Sequence, residues 1–235
     1  MKNPEALVVP AQTGAATTAL VYAADNGPAG AALMLAHGAG AGQRSPWIVD
    51  LASSLSAHAL DVITFNFLYT EQRRKLPDKQ PQLEACYAAA IRAVRNEVAS
   101  ARRGLFIGGK SMGGRIATHV AAADPSLDIT GLVLLGYPLH PPGRPEQRRD
   151  AHLPAVSRPM LFVQGSRDGF GTPAELTPVL DPLTPRPTLH VVDGGDHSFK
   201  LSGKNPERQQ AVFDDVRRTI LEWIGSRLPN HANRS

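Results

Sequence analysis

The stretch Gly104-Leu105-Phe106-Ile107-Gly108-Gly109-Lys110-Ser111-Met112-Gly113-Gly114 satisfies two motifs that exclude each other. From Gly104 it spells G-x-x-x-x-G-K-[ST], the phosphate-cradling P-loop, with Ser111 as a magnesium ligand. From Gly109 it spells G-x-S-x-G, the nucleophile elbow, with Ser111 as a covalent catalyst. A P-loop needs a strand ending near Gly104. The residues there, Val98 to Arg103, continue a helical pattern and end in two arginines. Its variable positions would be Leu105, Phe106, Ile107 and Gly108, three of them bulky and apolar where backbone N–H groups must face phosphate. A Walker-B-like run, Leu189 to Asp193, keeps a nucleotide-binding protein as a rival reading. The elbow reading makes Leu105-Phe106-Ile107 the strand and starts a helix at Met112. Ser111 then stands at a sharp turn, where only small neighbours fit.

The rest of the chain alternates in the same way. Apolar runs at Ala31–Ala36, Val62–Phe67, Leu132–Leu135, Pro159–Val163 and Thr188–Val192 read as strands. Leu7–Val9 and Thr18–Tyr22 read as an opening hairpin. Helices are expected from Ser45-Pro46, from Pro81, from Met112 to Ala123, after the capping box Thr172-Pro173-Ala174-Glu175, and from Asn205-Pro206. Apolar strands alternating with amphipathic helices make an α/β chain with a mostly parallel sheet covered on both faces. Chemistry in such sheets sits at the carboxyl ends of the strands. Ser111, Asp168, His197 and the stretch His37–Gly42 all follow strands.

The partners for Ser111 come in the order serine, acid, histidine. Asp168 follows the strand ending at Val163, and His197 follows the last strand. A serine attacking a carbonyl needs a base for its proton, and the base needs an acid to fix its tautomer. Asp193 and Asp196 are nearer His197 in sequence, but neighbours on one loop rarely face each other correctly. The oxyanion needs two donors. One is the Met112 N–H at a helix start, and the other comes from His37-Gly38-Ala39-Gly40, most simply Ala39. His37 itself reads as support for this loop, not as a base.

At 235 residues and 42% apolar the chain suits a single domain, residues 1–235, able to bury roughly 70% of its unfolded surface. The single cysteine, Cys86, permits no internal disulfide. The N-terminus lacks the apolar run of a signal peptide, and no run reaches membrane-span length. The expected location is the cytoplasm. Net charge is +4 with scattered basic pairs, so neither nucleic acid nor membrane is expected as a partner. No cofactor and no metal are expected. Lys110, Arg115 and Arg167 stand near the site, and two readings stay open for them: an acidic substrate, or ordinary surface placement.

The stretches LAHGAGAG, FNFLY, IGGKSMGGR, QGSRDGFGTPAE and GGDHSF, between about residues 30 and 200, resemble α/β hydrolases of the dienelactone-hydrolase-like kind. The resemblance is nearest to the small cap-less group of testis-expressed and chromatin-complex homologues. It implies an α/β-hydrolase fold without a cap domain, with Ser111, Asp168 and His197 as a triad. Dienelactone hydrolases proper use a cysteine, so their substrate does not carry over. The function expected is hydrolysis of a small carboxylic ester or related acyl bond. The alternative is a non-catalytic interaction module on a hydrolase fold. The insert after Leu135 is short, proline-rich and charged from His140 to Arg149, too short for a lid. It predicts an open, shallow site bordered by Tyr69, Tyr137 and Phe199, suited to short, water-soluble acyl esters.

Overall fold

The computed structural model describes residues 3–11, 14–25 and 30–228. In chain order the elements are β1 (Glu5–Pro10), β2 (Ala16–Tyr22), β3 (Ala31–Ala36), α1 (Pro46–Ser56), β4 (Leu60–Phe65), α2 (Leu68–Glu71), α3 (Gln80–Glu97), β5 (Leu105–Lys110), α4 (Met112–Ala123), β6 (Gly131–Leu135), β7 (Met160–Gly165), α5 (Pro173–Leu180), β8 (Thr188–Val192) and α6 (Pro206–Gly225). Short 3₁₀ turns at Ala99–Arg102 and Leu153–Ala155 complete the set.

The strands form one sheet in the order β1-β2-β4-β3-β5-β6-β7-β8. The β1–β2 hairpin is antiparallel and adds to β4 in antiparallel sense. Every other pairing is parallel. The parallel part starts in the middle with β3, winds outward to β4, then returns to β5 on the other side of β3. That reversal leaves a crevice at the carboxyl ends of β3 and β5, where ligands of such sheets bind.

The alternation of strand side chains sorts the core into two layers. Ala32, Met34 and Ala36 of β3, Ile107 of β5, Leu132 and Leu134 of β6, and Phe162 of β7 pack against α3, α4 and α5. Leu33 and Leu35, Phe106, Val133 and Leu135, and Leu161 and Val163 pack against α1 and α6. Both faces are covered, which is why these strands read as unbroken apolar runs. The aromatic rings Phe65, Phe106 and Phe162 lie wholly inside, each contributing on the order of 1.5–3 kcal/mol by burial. The five helices expected from the sequence begin within a residue of where it marks them, and the short α2 is not among them. The capping box at Thr172 is formed, with Glu175 Oε2 accepting from the Thr172 N–H at 2.8 Å. Asn205 caps α6 through its side chain onto the Arg208 N–H. Among the described residues no helix is long and apolar enough to cross a membrane.

Two local expectations differ. The strand expected at Leu105–Ile107 runs on to Lys110. Its last three residues are polar or glycine, so apolar patterning ends before the hydrogen-bonded ladder does. The residues Ala99–Arg102, expected as the tail of a long helix, instead make a separate 3₁₀ turn after Val98 breaks α3.

Candidate active site

The elbow is built by backbone crowding. Ser111 joins β5 to α4 with φ +52° and ψ −117°, a conformation that costs an L-residue about 1–2 kcal/mol. Its N–H donates to Leu135 O at 2.9 Å, which extends the β5–β6 ladder into the turn. A Cβ on Gly109 would lie 2.3 Å from the Ala36 carbonyl oxygen, and one on Gly113 would lie 2.4 Å from the same atom. No side chain fits at either place, so strand, turn and helix close directly on the end of β3. The same geometry disposes of the P-loop. Leu105, Phe106 and Ile107 are fully buried, and their strand is paired on both sides, with β3 and β6. They offer no N–H groups to a phosphate.

Asp168 is 1% exposed and receives only donors. Its Oδ1 accepts the Phe170 N–H at 2.8 Å. Its Oδ2 accepts Gln164 Nε2 at 2.8 Å and faces His197 Nδ1 at 2.8 Å. A carboxylate so placed is an acceptor throughout, so His197 must carry its proton on Nδ1, leaving Nε2 with a lone pair. Gln164 cannot turn over, because its Oε1 accepts the Tyr137 N–H while its Nε2 also donates to Gly171 O. The imidazole is further held by stacking on Phe170, with ring centroids 4.2 Å apart. Asp196 does different work. Its Oδ1 accepts the N–H groups of Ser198 and Lys200 and so shapes the loop around His197. Asp193 lies by Ser166.

The loop after β3 is fixed from beneath. His37 is fully buried. Its Nδ1 donates to Gly38 O at 2.8 Å, and its Nε2 accepts the Phe67 N–H at 3.2 Å. Both nitrogens are spent, and burial pushes the ring's pKa down, so His37 is a neutral strut. Asn66 Oδ1 accepts the Gln43 N–H, and its amide donates to Glu71, which also receives Thr18. This network sets Ala39 at the mouth of the same cleft as Met112. Met112 opens α4, where helix geometry leaves its N–H without an intrahelical acceptor.

Ser111 and His197 both line a cleft of about 950 Å³ with Ala39, Trp47, Leu83 and Phe170. Among the described residues the Ser111 hydroxyl makes no hydrogen bond to His197, as is common before substrate tightens such a site. The expected rim is wrong. Tyr69, Tyr137 and Phe199 are buried below the cleft. Phe199 packs under Trp47, and Tyr137 donates its hydroxyl to Arg149 O at 2.6 Å. The apolar surface is supplied instead by Trp47, Leu83, Pro138 and Phe170.

Of the three cations singled out in the sequence, Lys110 and Arg115 line the cleft and Arg167 faces solvent. Arg167 is exposed and away from the cleft. Arg115 lines it. Lys110, only 8% exposed, donates from Nζ to the main-chain oxygen of His197. Burial lowers its pKa to about 8, opposed by Asp168 and Asp196. The residue before Ser111 in the elbow motif thus ties the strand that leads to Ser111 to the loop that carries His197. Sequence reasoning found Lys110 but not this role, which joins residues 87 positions apart.

The comparisons with known proteins agree with this architecture. A lid-less α/β serine hydrolase from Xanthomonas campestris superposes with a TM-score of 0.75 at 20% identity, covering 97% of each chain. A dienelactone hydrolase from Anabaena variabilis gives 0.74 at 20% identity over 97% of this chain and all of its own. Est1E from Butyrivibrio proteoclasticus, solved with ferulic acid, gives 0.73 at 15% identity over 93% of this chain and 99% of its own. The model of the alpha/beta hydrolase domain family matches residues 29–225, which takes in both ends of the sheet's parallel part and every residue of the site. The chain therefore belongs to the alpha/beta hydrolase domain family, with a mostly parallel eight-stranded sheet and no cap domain.

Proposed function

We propose that this protein is a serine hydrolase that cleaves a carboxylic ester or related acyl bond through Ser111, His197 and Asp168. One observation carries the reading. A strained elbow serine opens on the same cleft as a histidine whose tautomer a buried carboxylate dictates. An interaction surface requires none of this.

In the reaction, Ser111 Oγ attacks the acyl carbon while His197 Nε2 takes the hydroxyl proton. Asp168 stays ionised and steadies the imidazolium. The carbonyl oxygen becomes an oxyanion and is met by the N–H groups of Met112 and Ala39, the former aided by the α4 dipole. The carbon–oxygen bond to the alcohol breaks, and His197 returns the proton to the leaving oxygen. Water then attacks the acyl-enzyme by the same route in reverse. A cleft without a covering domain suits small, soluble acyl esters. The likeness in motif stretches to the testis-expressed and chromatin-complex group belongs to the same proposal.

The test is covalent labelling. A fluorophosphonate should add once to the wild-type protein at Ser111, seen by intact-mass and peptide spectrometry, and not at all to Ser111→Ala. Wild-type protein left unmodified after long exposure would remove the catalytic reading and favour an interaction module on this fold.

A further inference from the structure

The charged lining of the cleft is Asp50, Asp78, Lys110, Arg115, Arg149 and Lys200, so cations outnumber carboxylates. On the α4 side stand Arg115 and Arg149, close enough that Arg149 disfavours the charge of Arg115. Neither makes an ion pair among the described residues. Arg115 is half-buried, and its Nη1 donates to neutral acceptors, Gln80 Oε1 at 3.2 Å and His119 Nε2 at 3.4 Å. For His119 to accept there it must be uncharged, and burial together with Arg115 keeps it so. His119 stacks on His152 at 3.5 Å, and His152 is likewise held neutral. Glu84, on α3, accepts from Gln80 and lies near enough to favour the Arg115 charge without forming an ion pair with it. Asp150 is taken by Arg148, and Asp78 by Arg74.

Arg149 is held on both sides of its peptide. Its N–H donates to Leu139 O at 2.9 Å, and its carbonyl accepts the buried Tyr137 hydroxyl. Two positive groups therefore stand near one another at the cleft, Arg115 partly desolvated, and neither is in an ion pair among the described residues. Such an arrangement is unfavourable in the empty protein and is relieved by an anion. Arg115 lies four residues past Ser111, so on one helix face and one turn from the nucleophile. Paired guanidinium forks match a carboxylate through charge-assisted hydrogen bonds.

We propose that Arg115 and Arg149 form an anion subsite, and that the substrate is an acyl ester bearing a second group, a carboxylate, near the scissile bond. The proposal rests on the hydrolase reading above and narrows its substrate class.

The test compares 4-nitrophenyl hydrogen glutarate with 4-nitrophenyl valerate, acyl chains of equal length with and without the terminal charge. The wild-type kcat/KM for the charged ester should exceed that for the neutral one by about tenfold or more, a preference weakened by salt. In Arg149→Ala and in Arg115→Gln the ratio should fall toward one. Because the readout is a ratio within one protein sample, partial loss of folded enzyme does not move it. A wild-type ratio of one or less, or a ratio unchanged in both variants, overturns the anion subsite and leaves the hydrolase reading standing. Hydrolysis of neither ester overturns the subsite as well, and with Ser111 also unlabelled it takes the hydrolase reading down too.

Discussion

The Ser111 elbow and the His197 loop stand across one cleft and are held by opposite means. The elbow is fixed by backbone against backbone. Gly109 and Gly113 let the turn close on Ala36 O with no room for a methyl group. The histidine loop is fixed by side chains. Lys110 reaches its carbonyl, Asp196 accepts two of its N–H groups, Trp47 Nε1 donates to Ser198 O, and Gln209 donates to Phe199 O. Contact of the first kind has a steep repulsive wall and fails at once. Hydrogen bonds of the second kind are worth about 1 kcal/mol each and fail one at a time. Ser111 is thereby placed rigidly, while His197 is placed by several adjustable contacts.

Three substitutions probe that contrast, in falling order of effect. Asp168→Asn acts on the loop's orientation without touching its path. Gln164 cannot turn to suit an amide, so the Asn NH₂ faces two donors and His197 must move its proton to Nε2. A fall in kcat of up to about 10⁴-fold is expected, as for the aspartate of serine proteases, with the fold retained at a cost of about 1–3 kcal/mol. Full activity in steady-state assays would mean that another acid orients His197.

Gly113→Ala attacks the elbow. The added methyl meets a carbonyl that is locked in the β3 ladder, so nothing can give way cheaply. A loss of at least about 3 kcal/mol in urea unfolding, or failure to fold, is expected. A variant with wild-type stability would show that the elbow is as adjustable as the loop, and the contrast would be gone.

Lys110→Met removes the tie between the two regions while filling similar space. Loosening His197 should lower kcat by about 10- to 100-fold with KM little changed. A second readout separates this from simple packing. Burial brings the lysine's pKa from 10.5 down to about 8. Between those values the unfolded chain keeps a proton that the fold has released. Wild-type stability should therefore rise relative to Lys110→Met from pH 8 to 10.5, by on the order of 3 kcal/mol at most. Below pH 8 both states are charged and the difference should be flat. Parallel stability curves across that window would place the amine in water, not under Trp47.

The sequence was most legible where local chemistry decides. Apolar runs gave β3, β6 and β7, Pro after Ser, Thr or Asn gave the starts of α1, α5 and α6, and small residues around Ser111 gave the turn. The positions of Asp168 and His197 after strands followed from the sheet being parallel. Illegible features depend on which way a side chain turns after its strand ends. Tyr69, Tyr137 and Phe199 follow strands as the site residues do, yet turn inward, because residues beyond a strand no longer alternate by rule. Gln164, the hub beneath Asp168, reads as an ordinary strand residue. Arg149 sits in a stretch that reads as solvent-exposed loop, and only its backbone bonds to Leu139 and Tyr137 bring it to the cleft.

Helix α4 carries Ser111 at its cap and Arg115 one turn on, and a helix turn advances 5.4 Å whatever the sequence around it. The helix is thus a ruler with its zero mark at Ser111. On the proposed reading, a group held at Arg115 would be read off at a set interval from the bond to be broken, with Gly109 and Gly113 closed on Ala36 O to hold the turn at Ser111 in place. On the same reading, selection by length in this cleft would follow from helix pitch, with the loops left to choose only what is measured.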